Sequence, residues 1–133
     1  MRWLWAKEMG VISERRKAAE IRGRRSESLA AFALACKFYR IIGRRVKTSA
    51  GEIDLVAISP RGPICFVEVK ARGNQLDAAE AVTARQRDRI ERAADLYLRA
   101  HPGLRHKAVR FDIMLIMPRQ WPRHLRDAWR PGF

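Results

Sequence analysis

Two apolar runs of matched length, GEIDLVAI (51–58) and ICFVEVKA (64–71), are separated only by SPRGP. Both are short, rich in β-branched residues and bounded by Gly or Pro, the pattern of buried strands. Pro60 at the second turn position and Gly62 at the fourth are a type I turn signature. The pair therefore reads as an antiparallel hairpin, and a hairpin buried on this scale needs helices or further strands to cover it. Each strand also carries charge where burial should forbid it: Asp54 in the first, Glu68 and Lys70 in the second.

The flanking segments supply the cover. In RRSESLAAFALACKFYR the residues Leu29, Phe32, Ala33 and Cys36 recur at the spacing of one buried helical face. That helix is expected to begin near Ser13, with Gly23 as its weak point. FYRIIGRRVKT reads as an edge strand with basic residues outward. After the hairpin, Asp77 or Thr83 is the expected cap of a second helix, with Ile90, Ala93, Ala94, Tyr97 and Leu98 on one face and HPG (101–103) as its stop. AVRFDIMLIM is a further strand ended by Pro118. WPRHLRDAWRPGF reads as a short amphipathic tail with Trp121, Leu125 and Trp129 on one side. The expected order is α-β-β-β-α-β, an α/β fold with a mixed central sheet flanked by helices. The 133 residues suit one domain, with 1–20 as a basic extension of the first helix and 118–133 as a Trp-containing tail.

Charge narrows the partners. The chain carries 28 Lys and Arg against 14 Asp and Glu, a net +14. Residues 1–48 hold +9, residues 49–100 balance at zero, and residues 101–133 hold +5. Basic flanks around a carboxylate-bearing middle favour a polyanion, with DNA expected ahead of RNA. Arg15, Arg16, Arg22, Arg24, Arg25, Arg40, Arg44, Arg45 and Arg72 are the candidates to grip phosphates, the alternative being solvated helix and strand faces. No apolar run approaches the roughly 20 residues of a membrane span, and MRWLWAKEMG lacks a secretory h-region. Glu8, Glu14 and Glu20 argue against a mitochondrial presequence, so a cytoplasmic protein without membrane partners is expected. Cys36 and Cys65 read as reduced core thiols. His101, His106 and His124 have no metal-ligand spacing and read as surface or loop residues.

Within a strand side chains alternate, so Phe66, Glu68 and Lys70 share one face. Pairing across the turn brings Asp54 close to Glu68, with Lys70 beside them. Three charges gathered on one sheet face are costly without a purpose. A divalent cation resolves the cost: two carboxylates are hard-oxygen ligands for Mg²⁺ or Mn²⁺, which fills its remaining positions with water and phosphate. A neighbouring lysine can hold or help deprotonate the attacking water and offset charge growing at phosphorus. An ExK triplet by itself is commonly a solvated pair. Combined with GEIDLV, the element order and the basic flanks, it points to metal-assisted phosphodiester hydrolysis.

GRRSESLAAFAL, YRIIGRRVKTSAGEIDLVA, FVEVKAR, AVTARQRDRI and RFDIMLI together resemble the YraN-like uncharacterised proteins, over about residues 20 to 130. That family is similar to the Holliday-junction resolvases of the restriction-endonuclease-like, PD-(D/E)xK superfamily. The resemblance implies a restriction-endonuclease-like core and an Mg²⁺-dependent endonuclease acting on structured or branched DNA. It places metal ligands at Asp54 and Glu68 and the superfamily lysine at Lys70. It matches the first-helix acid of the resolvases to Glu27, which on the residues alone is equally a salt-bridge partner for Arg24 or Arg25. By the same analogy a homodimer is expected. The rival readings are a non-catalytic nucleic-acid-binding module of the same fold and an adaptor for a protein or ribosomal partner. Glu52, Gln86 and Asp112 are assigned supporting roles at most. Trp3, Trp5, Trp121 and Trp129 could stack on unpaired bases, although packing against the sheet is the expected role of the last two.

Overall fold

The computed structural model describes residues 2–72 and 82–132, with side chains from residue 7 onward. Helix α1 runs Arg2–Cys36, strand β1 Arg40–Thr48, β2 Gly51–Ile58 and β3 Ile64–Ala71. Helix α2 covers Ala84–Ala100, a 3₁₀ turn Pro102–Leu104, β4 Val109–Ile116 and β5 Arg123–Trp129. The strands lie in the order β1-β2-β3-β4-β5. β1, β2 and β3 form the antiparallel meander expected from their short joints, α2 carries the chain over to a parallel β4, and β5 returns antiparallel. This is an α/β fold with a mixed sheet flanked by helices, consistent with a restriction-endonuclease-like core.

The hairpin forms as its turn residues dictate. Gly62 N–H donates to Ser59 O at 3.0 Å and Ser59 N–H to Pro63 O at 2.9 Å. The pairing Ile58↔Ile64 through Leu55↔Val67 follows. Helix α2 opens with a capping box: the Thr83 hydroxyl takes the Gln86 N–H and the Gln86 side chain takes the Thr83 N–H. Gln86 is thus a helix-start residue, and Asp77 lies outside the described residues.

Two cores sandwich the sheet. On the α2 side, Val56, Ile64, Phe66 and Phe111 pack against Ile90, Ala93, Ala94 and Tyr97. On the α1 side, Ala30, Ala33 and Leu34 cover Leu55, Ala57, Cys65, Val67 and Met114. β3 and β4, buried on both faces, are the near-continuous apolar runs that a parallel pair requires. Helix α1 ends in a Schellman-type closure, with Tyr39 N–H to Leu34 O and Phe38 N–H to Ala35 O. Phe38 occupies the left-handed position at φ 67°, where glycine is usual, and its ring is exposed.

Four expectations are corrected. The first helix begins at Arg2, well before Ser13. Its buried face is built on alanines, which allow the backbone to approach the sheet closely, so Leu29, Phe32 and Cys36 face outward and only Ala33 of the expected set is buried. Residues 123–129 form a fifth strand instead of a loose tail. Trp129 packs on the sheet, stacked on Phe111 at 5.2 Å between centroids, whereas Trp121 stays exposed. Cys65 is a buried thiol pushed up to about 12, chiefly by burial and then by the nearby Asp112 charge, and is therefore inert.

Candidate active site

β2 and β3 stop pairing at the residues that matter. Beyond Leu55↔Val67 the ladder ends, and Asp54 Oδ2 accepts the Val69 N–H at 2.8 Å. The carboxylate thereby satisfies a backbone donor that strand pairing leaves open. It also leaves Asp54 facing Glu68 closely enough for each carboxyl to feel the other. Lys70 Nζ stands 3.5 Å from Glu68 Oε1. Asp54, Glu68 and Lys70 thus stand together, as expected from the sequence.

Helix α1 closes the other side. Asp54, Glu68, Lys70, Glu27, Arg22 and Arg72 all line one cleft of about 480 Å³ between α1 and the ends of β2 and β3. Carboxylate oxygens of Glu27, Glu52 and Asp54 lie within 4.8 Å of one another, a spacing that a single cation can span. Glu27 pairs with Arg45 of β1, not with Arg24 or Arg25 as the residues alone allowed. Arg44 donates to Ser28 on the same helix at 3.0 Å. These two contacts tie β1 to α1, which sets the height of Glu27 over the sheet. Arg24 and Arg25 line a separate shallow depression beside Ile21 and Leu29.

The electrostatics follow from burial. Glu68, 7% exposed, has its carboxyl pushed up to about 7, first by burial and second by the charge of Asp54, with Lys70 opposing. Asp54 is also raised, again mainly by burial, with the Val69 N–H opposing and the Glu27 charge adding to the rise. Two buried carboxyl groups that raise each other in this way favour a partner carrying positive charge.

A second polar cluster went unread in the sequence. Asp112, fully buried on β4, accepts hydrogen bonds from Arg110 Nε at 2.9 Å, Arg110 Nη2 at 2.8 Å and the Asp127 N–H at 2.9 Å. His124 Nε2 stands 2.7 Å from its Oδ2, and Arg110 also reaches the Tyr39 hydroxyl at 2.6 Å. His124 is therefore buried, not a surface residue, with its side chain 3% exposed. Burial alone would raise the Asp112 carboxyl, but the His124, Arg110 and Asp127 hydrogen bonds outweigh it and hold it below the usual range. The cluster joins the end of α1 to β4 and β5. The only local signal for it was Asp112 itself, an acid inside an apolar strand.

The fold is thus an α/β sheet consistent with a restriction-endonuclease-like core, with a carboxylate-lysine cleft at the ends of β2 and β3. The profile of the uncharacterised protein family UPF0102 matches residues 26–116, and the chain belongs to that family. A UPF0102 protein of Parvibaculum lavamentivorans is 53% identical over 109 residues, covering 82% of this chain and 81% of its own length. One from Maricaulis maris is 44% identical over 122 residues, covering 91% of this chain and 94% of its own. One from a Bradyrhizobium strain is 49% identical over 119 residues, covering 90% and 84%. Among the described residues no helix is long and apolar enough to cross a membrane.

Proposed function

We propose that this protein is a cytoplasmic, Mg²⁺- or Mn²⁺-dependent endonuclease that hydrolyses phosphodiester bonds of structured or branched DNA. The observation that carries the reading is the convergence, in one cleft, of half-buried Asp54 and buried Glu68 with Lys70 beside them and Glu27 above. Such a donor set fits a hard divalent cation. Oxygens of Asp54, Glu27 and Glu52 lie within 4.8 Å of one another, and Glu68, outside that trio, adds a carboxyl whose repulsion from Asp54 positive charge would relieve. Asp54 and Glu68 are the ligands this reading assigns, with Glu27 and Glu52 in reach of the same region.

When bound, the cation supplies Lewis-acid polarisation of the phosphate and an acidified water. The chain's own residues do the rest. Glu27, paired with Arg45, fixes α1 over the cleft. Lys70 keeps an ammonium against the position where a phosphoryl oxygen gains charge. Arg22 and Arg72 line the cleft and attract the backbone on either side of the cut. Arg24, Arg25, Arg44 and Arg45 extend the positive field along α1 and β1.

The metal assignment has a direct test in thermal melting. Ligand that binds only the folded chain adds about 2.7 kcal/mol at one hundred times its Kd. Mn²⁺ should therefore raise Tm by several degrees, and Asp54→Asn with Glu68→Gln should abolish the rise. In EDTA the double variant should melt no lower than wild type, because two repelling carboxyls have gone. Equal Mn²⁺ binding to both proteins by calorimetric titration removes the metal site from the account.

A further inference from the structure

Beside the acidic cleft lies a second, larger depression of about 790 Å³, within the roughly 300–1,000 Å³ of ligand pockets. Its floor is Ile116 and Met117, where β4 ends. Its walls are Leu29 and Phe32 of α1 on one side and Trp121 on the other. Phe32 is 59% exposed and Trp121 61%, although exposure of such rings to water is costly. The two rings meet edge to face with centroids 6.0 Å apart. Trp121 is also held between Pro118 and Pro122, in a turn where Arg119 takes φ 60°. The aromatic wall is thus preorganised, and it covers no core.

Two further facts say what covers it. Arg119 lines it, so an anionic occupant would meet favourable charge there. Ala71 and Arg72 line both this depression and the acidic cleft, so the two adjoin at the end of β3. A chain-like ligand with one group in the cleft can therefore set a neighbouring group in the depression. A ligand with flat apolar rings on a polyanionic backbone meets all these conditions.

We infer that the Phe32–Trp121 depression receives unpaired bases of the strand whose phosphate lies in the cleft. This deepens, and rests on, the nuclease reading: it names the substrate class as nucleic acid with bases freed from pairing next to the cut, such as a flap, gap or branch point. Continuous duplex keeps its bases stacked inside the helix and cannot offer them. Single-stranded and branched substrates gain base–aromatic stacking, while duplex is held by phosphate contacts alone.

The test measures binding in EDTA, so it does not depend on cleavage. An oligonucleotide carrying 2-aminopurine at one unpaired position is compared with fully paired duplex of the same length. Trp121→Ala should weaken binding to the unpaired probe about 10-fold, the scale of one lost base–aromatic stack, and leave duplex affinity unchanged. It should also relieve quenching of 2-aminopurine fluorescence. Trp121→Phe should restore most of both, and an unchanged Tm confirms that the alanine variant is folded. Equal losses on duplex and unpaired probe, or no loss on either, overturn the inference. So does a wild type that sediments as a dimer and becomes monomeric on Trp121→Ala, since the depression would then be filled by a second copy. Tight, Trp121-dependent binding without cleavage in Mg²⁺ would sink the nuclease reading and leave the stacking site standing.

Discussion

If the proposed nuclease reading holds, single-turnover cleavage of a branched DNA in Mg²⁺ should slow by about 100-fold or more when Lys70 is replaced by Ala, while affinity for the same DNA should change little. The difference arises from where the charge is needed. Lys70 is one of 28 basic residues, so its loss barely alters the field that collects the polyanion. Its ammonium, however, is largely buried and held 3.5 Å from Glu68, beside the carboxyl pair. An interaction that strengthens only as the phosphoryl group gains charge lowers the barrier without tightening ground-state binding. Lys70→Met retains the aliphatic stem on β3 and separates charge from packing. It should be as slow as the alanine variant and melt close to wild type. If Lys70→Ala loses affinity and rate in equal proportion, Lys70 is a binding residue only.

Asp112→Ala should lower stability by about 3–5 kcal/mol, the scale for breaking a buried ion pair by removing one partner. For a domain whose whole stability is about 5–15 kcal/mol, that is a fall in Tm of 10 °C or more, or failure to fold. The deletion leaves the Asp127 N–H and His124 Nε2 facing a cavity and releases Arg110 from Asp112. Asp112→Asn keeps the shape and removes the charge, so it should fall between alanine and wild type and remain measurable by urea unfolding. The pH dependence has a definite sign. Because the folded carboxyl lies below its usual value, its contribution is present above the unfolded value near 3.8 and is lost as pH falls through the folded one. The gap between wild type and Asp112→Asn should therefore be full at neutral pH and narrow in acid. An Asn variant as stable as wild type at neutral pH would mean that the charge contributes nothing.

The hairpin and its carboxylates were legible because their determinants are local. A Pro–Gly turn and a period of two place Asp54 near Glu68 whatever surrounds them. Thr83 was one of two caps the sequence offered, and its pairing with Gln86 in a capping box became evident only in the structure. The face of α1 was misread because hydrophobicity pointed to Leu29 and Phe32, while close helix–sheet packing selected Ala30 and Ala33. Strand β5 was hidden for a related reason. Leu125 and Trp129 are four apart, a spacing that helix and strand both satisfy, and a bulge at Asp127, φ 52°, interrupts the alternation between them. That bulge frees the amide that Asp112 accepts, so the buried cluster and the fifth strand were missed together. Glu27 had no local signal at all. An acid on a basic helix has many partners in sequence, and only the tertiary position of α1 selects Arg45 and the cleft.

The most direct measurement is a gel assay of branched, single-stranded and duplex DNA with Mg²⁺, Mn²⁺ or EDTA, comparing wild type with the Asp54→Asn, Glu68→Gln variant. The account predicts cleavage of the branched substrate in either metal, none in EDTA, and none by the double variant although it still binds the DNA. A wild type that binds these substrates tightly in Mg²⁺ and leaves every one intact would contradict it, and the fold would then serve as a binding module.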